Sequence, residues 1–156
     1  MRIETTRFGE IEVSEEEIII FHQGLYGFKD EKQFMLIEDQ ETDFFWLQAV
    51  HNPDLAFVVT EPWAFCQTYE FDLKESVKRE LKINGQEDVL VINIVVVPDN
   101  PKEMTMNLKA PLVINKRERI GRQIILEDTS YPVKFKLFSD RDNRKVAGNK
   151  KVAGNG

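Results

Sequence analysis

The stretch Met106-Asn-Leu-Lys-Ala-Pro-Leu-Val-Ile-Asn-Lys-Arg-Glu-Arg-Ile-Gly-Arg-Gln-Ile-Ile-Leu-Glu-Asp-Thr-Ser-Tyr-Pro132 decides how the chain is read. Two short apolar runs, residues 112–114 and 124–126, flank a polar loop, 115–122, that closes on Gly121. Val113, Ile114, Ile124 and Ile125 branch at Cβ, which restricts χ1 and suits a pleated sheet better than a helix. Pro111 has no N–H to give to a ladder, so it belongs at a strand start or on an edge. The pattern is that of two strands joined by a charged turn, a hairpin that supplies core on one side.

Working outward towards the N-terminus, residues 89–97 form a long apolar run interrupted only by Asn93, and Pro98-Asp-Asn-Pro101 turns it into a further strand over 103–108. Residues 2–7 and 10–13 alternate polar and apolar around Phe8-Gly9, which predicts a first hairpin. Ile18-Ile19-Ile20-Phe21 has no polar alternation and suits a strand buried on both faces. Residues 33–37, 44–50 and 55–59 read as strands, separated by polar 38–43 and by the turn His51-Asn-Pro-Asp54. Tyr131-Pro-Val-Lys-Phe135 adds a last edge strand.

Two stretches carry unusual aromatic content. In Gly24-Leu-Tyr-Gly-Phe28 the glycines permit a tight turn, and Leu25, Tyr26 and Phe28 either fold back as a plug on the core or form an exposed patch for a partner. In Trp63-Ala-Phe-Cys-Gln-Thr-Tyr-Glu-Phe71 the alternation of a strand places Trp63, Phe65, Gln67, Tyr69 and Phe71 on one side. Core packing or an aromatic binding groove accounts for such a stripe. Asp72-Leu-Lys-Glu75 resembles a capping box, and Leu73, Val77 and Leu81 then recur on one helical face. One amphipathic helix is therefore expected over about 73–82, with a Glu75–Arg79 pair on its surface and Asn84-Gly85 at its end. Many short antiparallel strands and one helix indicate a mainly β fold, a small barrel or sandwich.

Composition bounds the function. A chain of 156 residues with 42% hydrophobic and 31% charged residues is long enough for a real core and belongs among globular domains. No apolar run approaches the roughly 20 residues of a membrane span, the first residues lack a secretory apolar segment, and Cys66 has no partner for a disulfide. The cytoplasm is the expected compartment. The net charge of −6 is uneven. Residues 141–156 hold five of the 21 basic and one of the 27 acidic side chains, leaving 16 against 26, a net of −10, over residues 1–140. Such a body repels polyanions, so nucleic acid is not an expected direct ligand. The division is a β domain over 1–140 and a basic tail over 141–156, where Lys145-Val-Ala-Gly-Asn149 repeats as Lys151-Val-Ala-Gly-Asn155 with too little apolar surface to offset ordering entropy.

Catalytic groupings are not evident. His22 and His51 stand apart from metal-ligand spacings, Cys66 reads as an inert thiol in the aromatic strand, and the serines lack a nucleophile-elbow setting. No glycine loop precedes a helix to cradle phosphate, and no carboxylate pair stands out. Neither enzyme chemistry, a cofactor nor a metal is expected.

Three blocks carry a resemblance: Asn107-Leu-x-Ala-Pro-Leu-Val-Ile-Asn115 with Gly121-x-Gln-Ile-Ile-Leu-x-Asp128 and Tyr131; Gly24-Leu-Tyr-Gly-Phe28; and Pro62-Trp-x-Phe-x-x-Tyr-Glu-Phe-Asp72. Together they resemble the flagellar assembly factor FliW family over about residues 1–137. The resemblance implies a small β-barrel-like domain that binds flagellin and also the RNA-binding translational repressor CsrA. By antagonising CsrA allosterically, such proteins couple flagellin translation to flagellar assembly. Tyr26 and Cys66 stand at positions read as variable, and the basic tail is an addition. Leu25, Tyr26, Phe28, Tyr69, Glu70, Phe71, Asn107 and Asn115 are the candidate partner contacts. The competing reading is a β-barrel carrier of a small apolar ligand, which requires an internal cavity.

Overall fold

The β-branched runs become strands that curl into a closed barrel. The computed structural model describes residues 1–138, so the expected tail at 141–156 lies outside the described residues. Strands β1 (Arg2–Thr5) and β2 (Gly9–Glu12) form a separate antiparallel hairpin. The main sheet comprises β3 (Ile19–Ile20), β4 (Gln33–Glu38), β5 (Phe45–Ala49), β6 (Ala56–Thr60), β7 (Val89–Val96), β8 (Thr105–Met106), β9 (Leu112–Asn115), β10 (Ile120–Gln123) and β11 (Phe135–Lys136). Pairing runs β3-β4-β5-β6-β7, and β7 also pairs with β9, which pairs with β10 and so returns to β3. Seven strands close the ring, which removes the open edges of a free sheet. β8 and β11 extend from the far end of β7 as a flap.

One side-chain set fills the barrel: Ile19, Phe21, Leu25, Phe34, Leu47, Val59, Ile92, Leu112 and Ile114 are all buried there. Several strands are also apolar outside, for a specific reason. The β1–β2 hairpin lays Ile3 and Val13 over Met35 and Val50. The helix α1 (Glu75–Glu80) and the turn after it lay Val77 and Leu81 over Val113. Tyr69, Leu126 and Leu137 cover Val95 and Met106. Each cover explains a run that lacks strand alternation, because both faces of that strand are dry.

Several expected elements are corrected. The second strand of the central hairpin is Ile120–Gln123, not 124–126. The turn closes instead at Arg119, whose φ is +58°, and Gly121 sits inside the strand. Gly121 is required by packing: a Cβ there would lie 2.8 Å from the Phe21 ring and 3.0 Å from Ile114 Cγ1. The 63–71 segment is not a strand. Pro62–Ala64 is a 3₁₀ turn and irregular chain follows, so Cys66 lies half-buried in a loop. Pro62 at the first position of the turn sets φ for helical geometry and donates nothing to a ladder. The alternation is still partly legible, because Phe65, Tyr69 and Phe71 pack into one cluster while Trp63 is 41% exposed.

The helix is shorter than its apolar spacing implies. Lys74, not Asp72, is the N-cap and its side chain makes no capping bond; Lys82, with φ +57°, terminates the turn before Asn84. Glu75 pairs with Lys78 at 3.2 Å rather than with Arg79. Leu73, Val77 and Leu81 nonetheless share one buried cluster. The last strand is Phe135–Lys136, and 131–134 are irregular. The strand expected over 103–108 reduces to Thr105–Met106. The barrel is antiparallel except at its closure, where β3 and β10 pair in parallel through Ile20 and Ile120. No helix among the described residues is long and apolar enough to cross a membrane.

Candidate functional site

A groove of about 580 Å³ is lined by the end of β10 and the chain after it, by α1 and the chain before it, and by the loop before β4. Tyr26 lines it from the Gly24-Leu-Tyr-Gly-Phe28 loop, Glu70, Phe71 and Asp72 from the chain before α1, and Ser76 and Val77 from α1 itself. The continuation of β10 through Ile124, Ile125 and Leu126 and the acidic pair Glu127 and Asp128 complete the lining. Three of the eight candidate contacts, taken from two distant parts of the sequence, therefore meet in one place.

The Tyr26 wall is built by glycine conformation and one buried amide. Gly24 has φ +66°, and a Cβ there would lie 2.5 Å from the Lys29 carbonyl oxygen, so only glycine fits. The turn pairs Leu25 with Phe28, and Leu25 N–H and Phe28 N–H each donate to the other's carbonyl, at 3.4 and 2.7 Å. The reversal sorts the side chains. Leu25 is 1% exposed in the barrel core, whereas Tyr26 is 59% exposed. Phe28 turns away from the groove and sets its ring edge-on against Phe57, centroids 5.2 Å apart. The plug and the exposed patch both exist, on neighbouring residues.

The chain before α1 is held by two tyrosines. Tyr69 is buried, its hydroxyl donates to the Leu108 carbonyl at 2.6 Å, and Asn93 Nδ2 lies 3.4 Å from it. Burial pushes the Tyr69 hydroxyl up from 10.0 to about 12, against a smaller lowering by the Asn93 hydrogen bond. Trp63 Nε1 donates to the Tyr69 carbonyl at 2.8 Å, and Phe71 lies 5.5 Å from the Tyr69 ring. The Tyr131 hydroxyl accepts from Glu70 N–H at 3.0 Å and lies 3.2 Å from the Glu70 carbonyl, to which it donates. Glu70 is thereby pinned with its carboxylate outward.

Asn107 and Asn115 lie outside the groove. Asn107 Oδ1 accepts from Lys109 and Ala110 N–H, both at 3.0 Å, and so shapes the turn into β9. Asn115 is fully buried. Its Nδ2 donates to the Leu81 and Lys82 carbonyls at 2.8 and 3.1 Å, and its Oδ1 accepts from Arg117 and Glu118 N–H at 2.9 and 3.0 Å. Carbonyls left over at a helix end need such donors, so Asn115 joins the helix to the charged turn.

The groove is amphipathic and acidic. Tyr26, Phe71, Ile124 and Ile125 offer apolar surface, and Ile125 is 41% exposed. Glu70, Asp72, Glu127 and Asp128 outnumber the cations Lys74 and Arg122, and Arg122 Nη1 is paired with Glu80 Oε1 at 2.6 Å. Ile124, Ile125, Glu127 and Asp128 were not among the residues predicted from sequence. Their signal was the acidic pair immediately after an apolar run, masked by reading that run as a paired strand. Among the described residues no group of three or more His, Cys, Asp or Glu side chains is placed to hold a metal.

Fold and groove define a class: a small β-barrel protein with an acidic, amphipathic groove on its surface. A family model described as FliW protein matches residues 2–137, so the chain belongs to the FliW family. Similar proteins are the flagellar assembly factor FliW of Caldicellulosiruptor saccharolyticus, 43% identical over 85% of this chain and 88% of that one, and its counterpart in Geobacillus kaustophilus, 43% identical over 90% and 98%. The counterpart from Alkaliphilus metalliredigens is 45% identical over 90% and 88%. A crystal structure of the flagellar assembly factor FliW superposes with a TM-score of 0.85 at 43% identity, covering 89% of this chain and 98% of that chain. The family is one of assembly factors, not of enzymes.

Proposed function

We propose that this chain is a cytoplasmic flagellar assembly factor that binds flagellin and the translational repressor CsrA, with the groove between Tyr26 and Phe71 as the shared contact. Binding CsrA antagonises it allosterically, and flagellin competes for the same surface, so flagellin synthesis follows assembly. The observation that carries this reading is the convergence of Tyr26, Glu70 and Phe71 on one acidic, amphipathic groove in a chain of the FliW family. Its apolar lining supplies the dry centre of a protein contact, and charges at the margin steer a basic partner and set register. Phe21, Phe34, Leu47, Ile92, Leu112 and Ile114 are buried together inside the barrel, which favours a packed core over the alternative, an apolar carrier.

Size-exclusion chromatography of this chain with flagellin and CsrA, above both dissociation constants, tests the reading. Each binary complex is expected, and the second partner displaces the first. By linkage, each weakens the other by the same factor. A stable ternary peak rules out a shared groove.

A further inference from the structure

We infer that Gln123 is a positioning residue: it touches no partner, yet it sets the Tyr26 wall of the groove, and partner affinity depends on it through Tyr26. This inference rests on the groove being the partner contact proposed above.

Gln123 is the last residue of β10 and is 7% exposed. Its side chain enters the space between the Gly24–Phe28 loop and the chain leading into β9. There its Oε1 accepts from the Tyr26 N–H at 2.9 Å, and its Nε2 donates to the Ala110 carbonyl at 3.2 Å. Both ends of one buried amide are thus committed, each to backbone more than ten positions away in sequence. An amide is suited to this task because its acceptor oxygen and donor nitrogen are held in different directions within one rigid plane.

The consequence is mechanical. Within the loop, Leu25 is anchored in the core and Leu25 and Phe28 bond one another, but Tyr26 and Gly27 project beyond that bridge. Gly27 has φ +87° with nothing within 4 Å of its Cβ position, so packing does not hold the tip. The Tyr26 N–H donates to the Gln123 acceptor, and Tyr26 is the aromatic side chain that this loop contributes to the groove. Without it, the exposed ring must order itself when a partner arrives, and that ordering is subtracted from binding.

Two readouts on the full chain separate the alternatives. Gln123→Met keeps side-chain length and removes both hydrogen bonds. Hydrogen exchange at the Tyr26 amide should accelerate by about tenfold or more, whereas a role confined to core packing leaves that amide no more affected than its neighbours. Gln123→Glu retains an acceptor for Tyr26 N–H and loses the donor to Ala110, so exchange at Tyr26 should stay slow. It also serves if the Met variant does not fold. Dissociation rates from CsrA then form a double-mutant cycle with Tyr26→Ala. Each single change should raise the rate several-fold to about tenfold, and the double variant should be no faster than Tyr26→Ala alone. Unchanged Tyr26 exchange in Gln123→Met, fast exchange in Gln123→Glu, or multiplicative effects in the cycle would each overturn the inference. If Gln123→Met frees the amide but Tyr26→Ala leaves CsrA dissociation unchanged, the groove reading fails and the positioning of the loop stands.

Discussion

The inside of the barrel and the cluster beneath the groove are both dry, but they are built by different means. The barrel interior is lined almost entirely by strand residues at period two, and its buried core cluster is all hydrophobic, from Ile19 to Ile114. The groove-side cluster lays turns and irregular chain over Val95 and Met106 of the sheet: Phe65 and Tyr69 after a 3₁₀ turn, Leu126 beyond the end of β10, Leu137 beyond β11. Irregular backbone brings unpaired carbonyls and N–H groups into the interior. Here Tyr69, Asn93, Asn107, Gln123 and Tyr131 meet several of them. The comparison teaches that the barrel can be held by area alone, whereas the groove wall needs particular hydrogen-bonding partners in particular places.

The largest effect should come from the barrel. Phe34 is fully buried and packs against Phe21 and Phe57. Phe34→Ala should cost about 3–5 kcal/mol, measured by denaturant unfolding, with no specific loss at the groove. A cost near that of an exposed site would mean the barrel is not the main store of stability.

Next is the helix cover. Leu81→Ala, at 1% exposure, should cost about 2–5 kcal/mol and half-buried Leu73→Ala clearly less. Equal melting shifts for the two would show that the six-residue helix extends over Leu73 after all.

Tyr69→Phe sharpens the contrast by removing polarity without volume. It strands the Leu108 carbonyl, an expected loss of about 1–3 kcal/mol. It also changes the alkaline limb. Because the folded hydroxyl titrates near 12 against an ordinary 10.0, its protection is complete below pH 10 and disappears as pH rises to 12. That titration is worth about 2–3 kcal/mol across the window. Unfolding free energy measured from pH 9 to 12 should therefore fall less steeply in Tyr69→Phe than in the parent, and parallel curves would exclude Tyr69 as the alkaline trigger.

Tyr26→Ala should have the smallest effect on folding, within about 0.5 kcal/mol, since the ring is mostly exposed. If the proposed function holds, its effect should fall on binding, as faster dissociation of CsrA. Added salt should instead slow association, through screening beyond about 8–10 Å. A melting loss comparable to that of Tyr69→Phe would erase the distinction between structural and contact residues.

Much of the chain was legible before any coordinates. Branched apolar runs bounded by Pro, Gly and Asn marked most strands, and Pro111 falls immediately before β9 as its missing N–H requires. The 63–71 stretch misled because aromatic residues at period two look alike in a strand and in a loop laid across a core. Pro62 was the sign of the turn, but nothing local said that no partner strand would be available. The Asp72–Glu75 pattern misled for a related reason: Asp72 lines the groove instead of capping a helix.

The sequence by itself determined a mainly β domain with one helix, an acidic body and membership of the FliW family, because these follow from local backbone preference, side-chain count and motif order. Tertiary structure alone decided that β3 and β10 close the ring in parallel, that Gly121 yields space to the Phe21 ring, and that Tyr26 and Phe71 line one groove. Those outcomes depend on contacts between segments tens of residues apart. Which face of a turn is buried is settled by what arrives to cover it, and no local pattern records that.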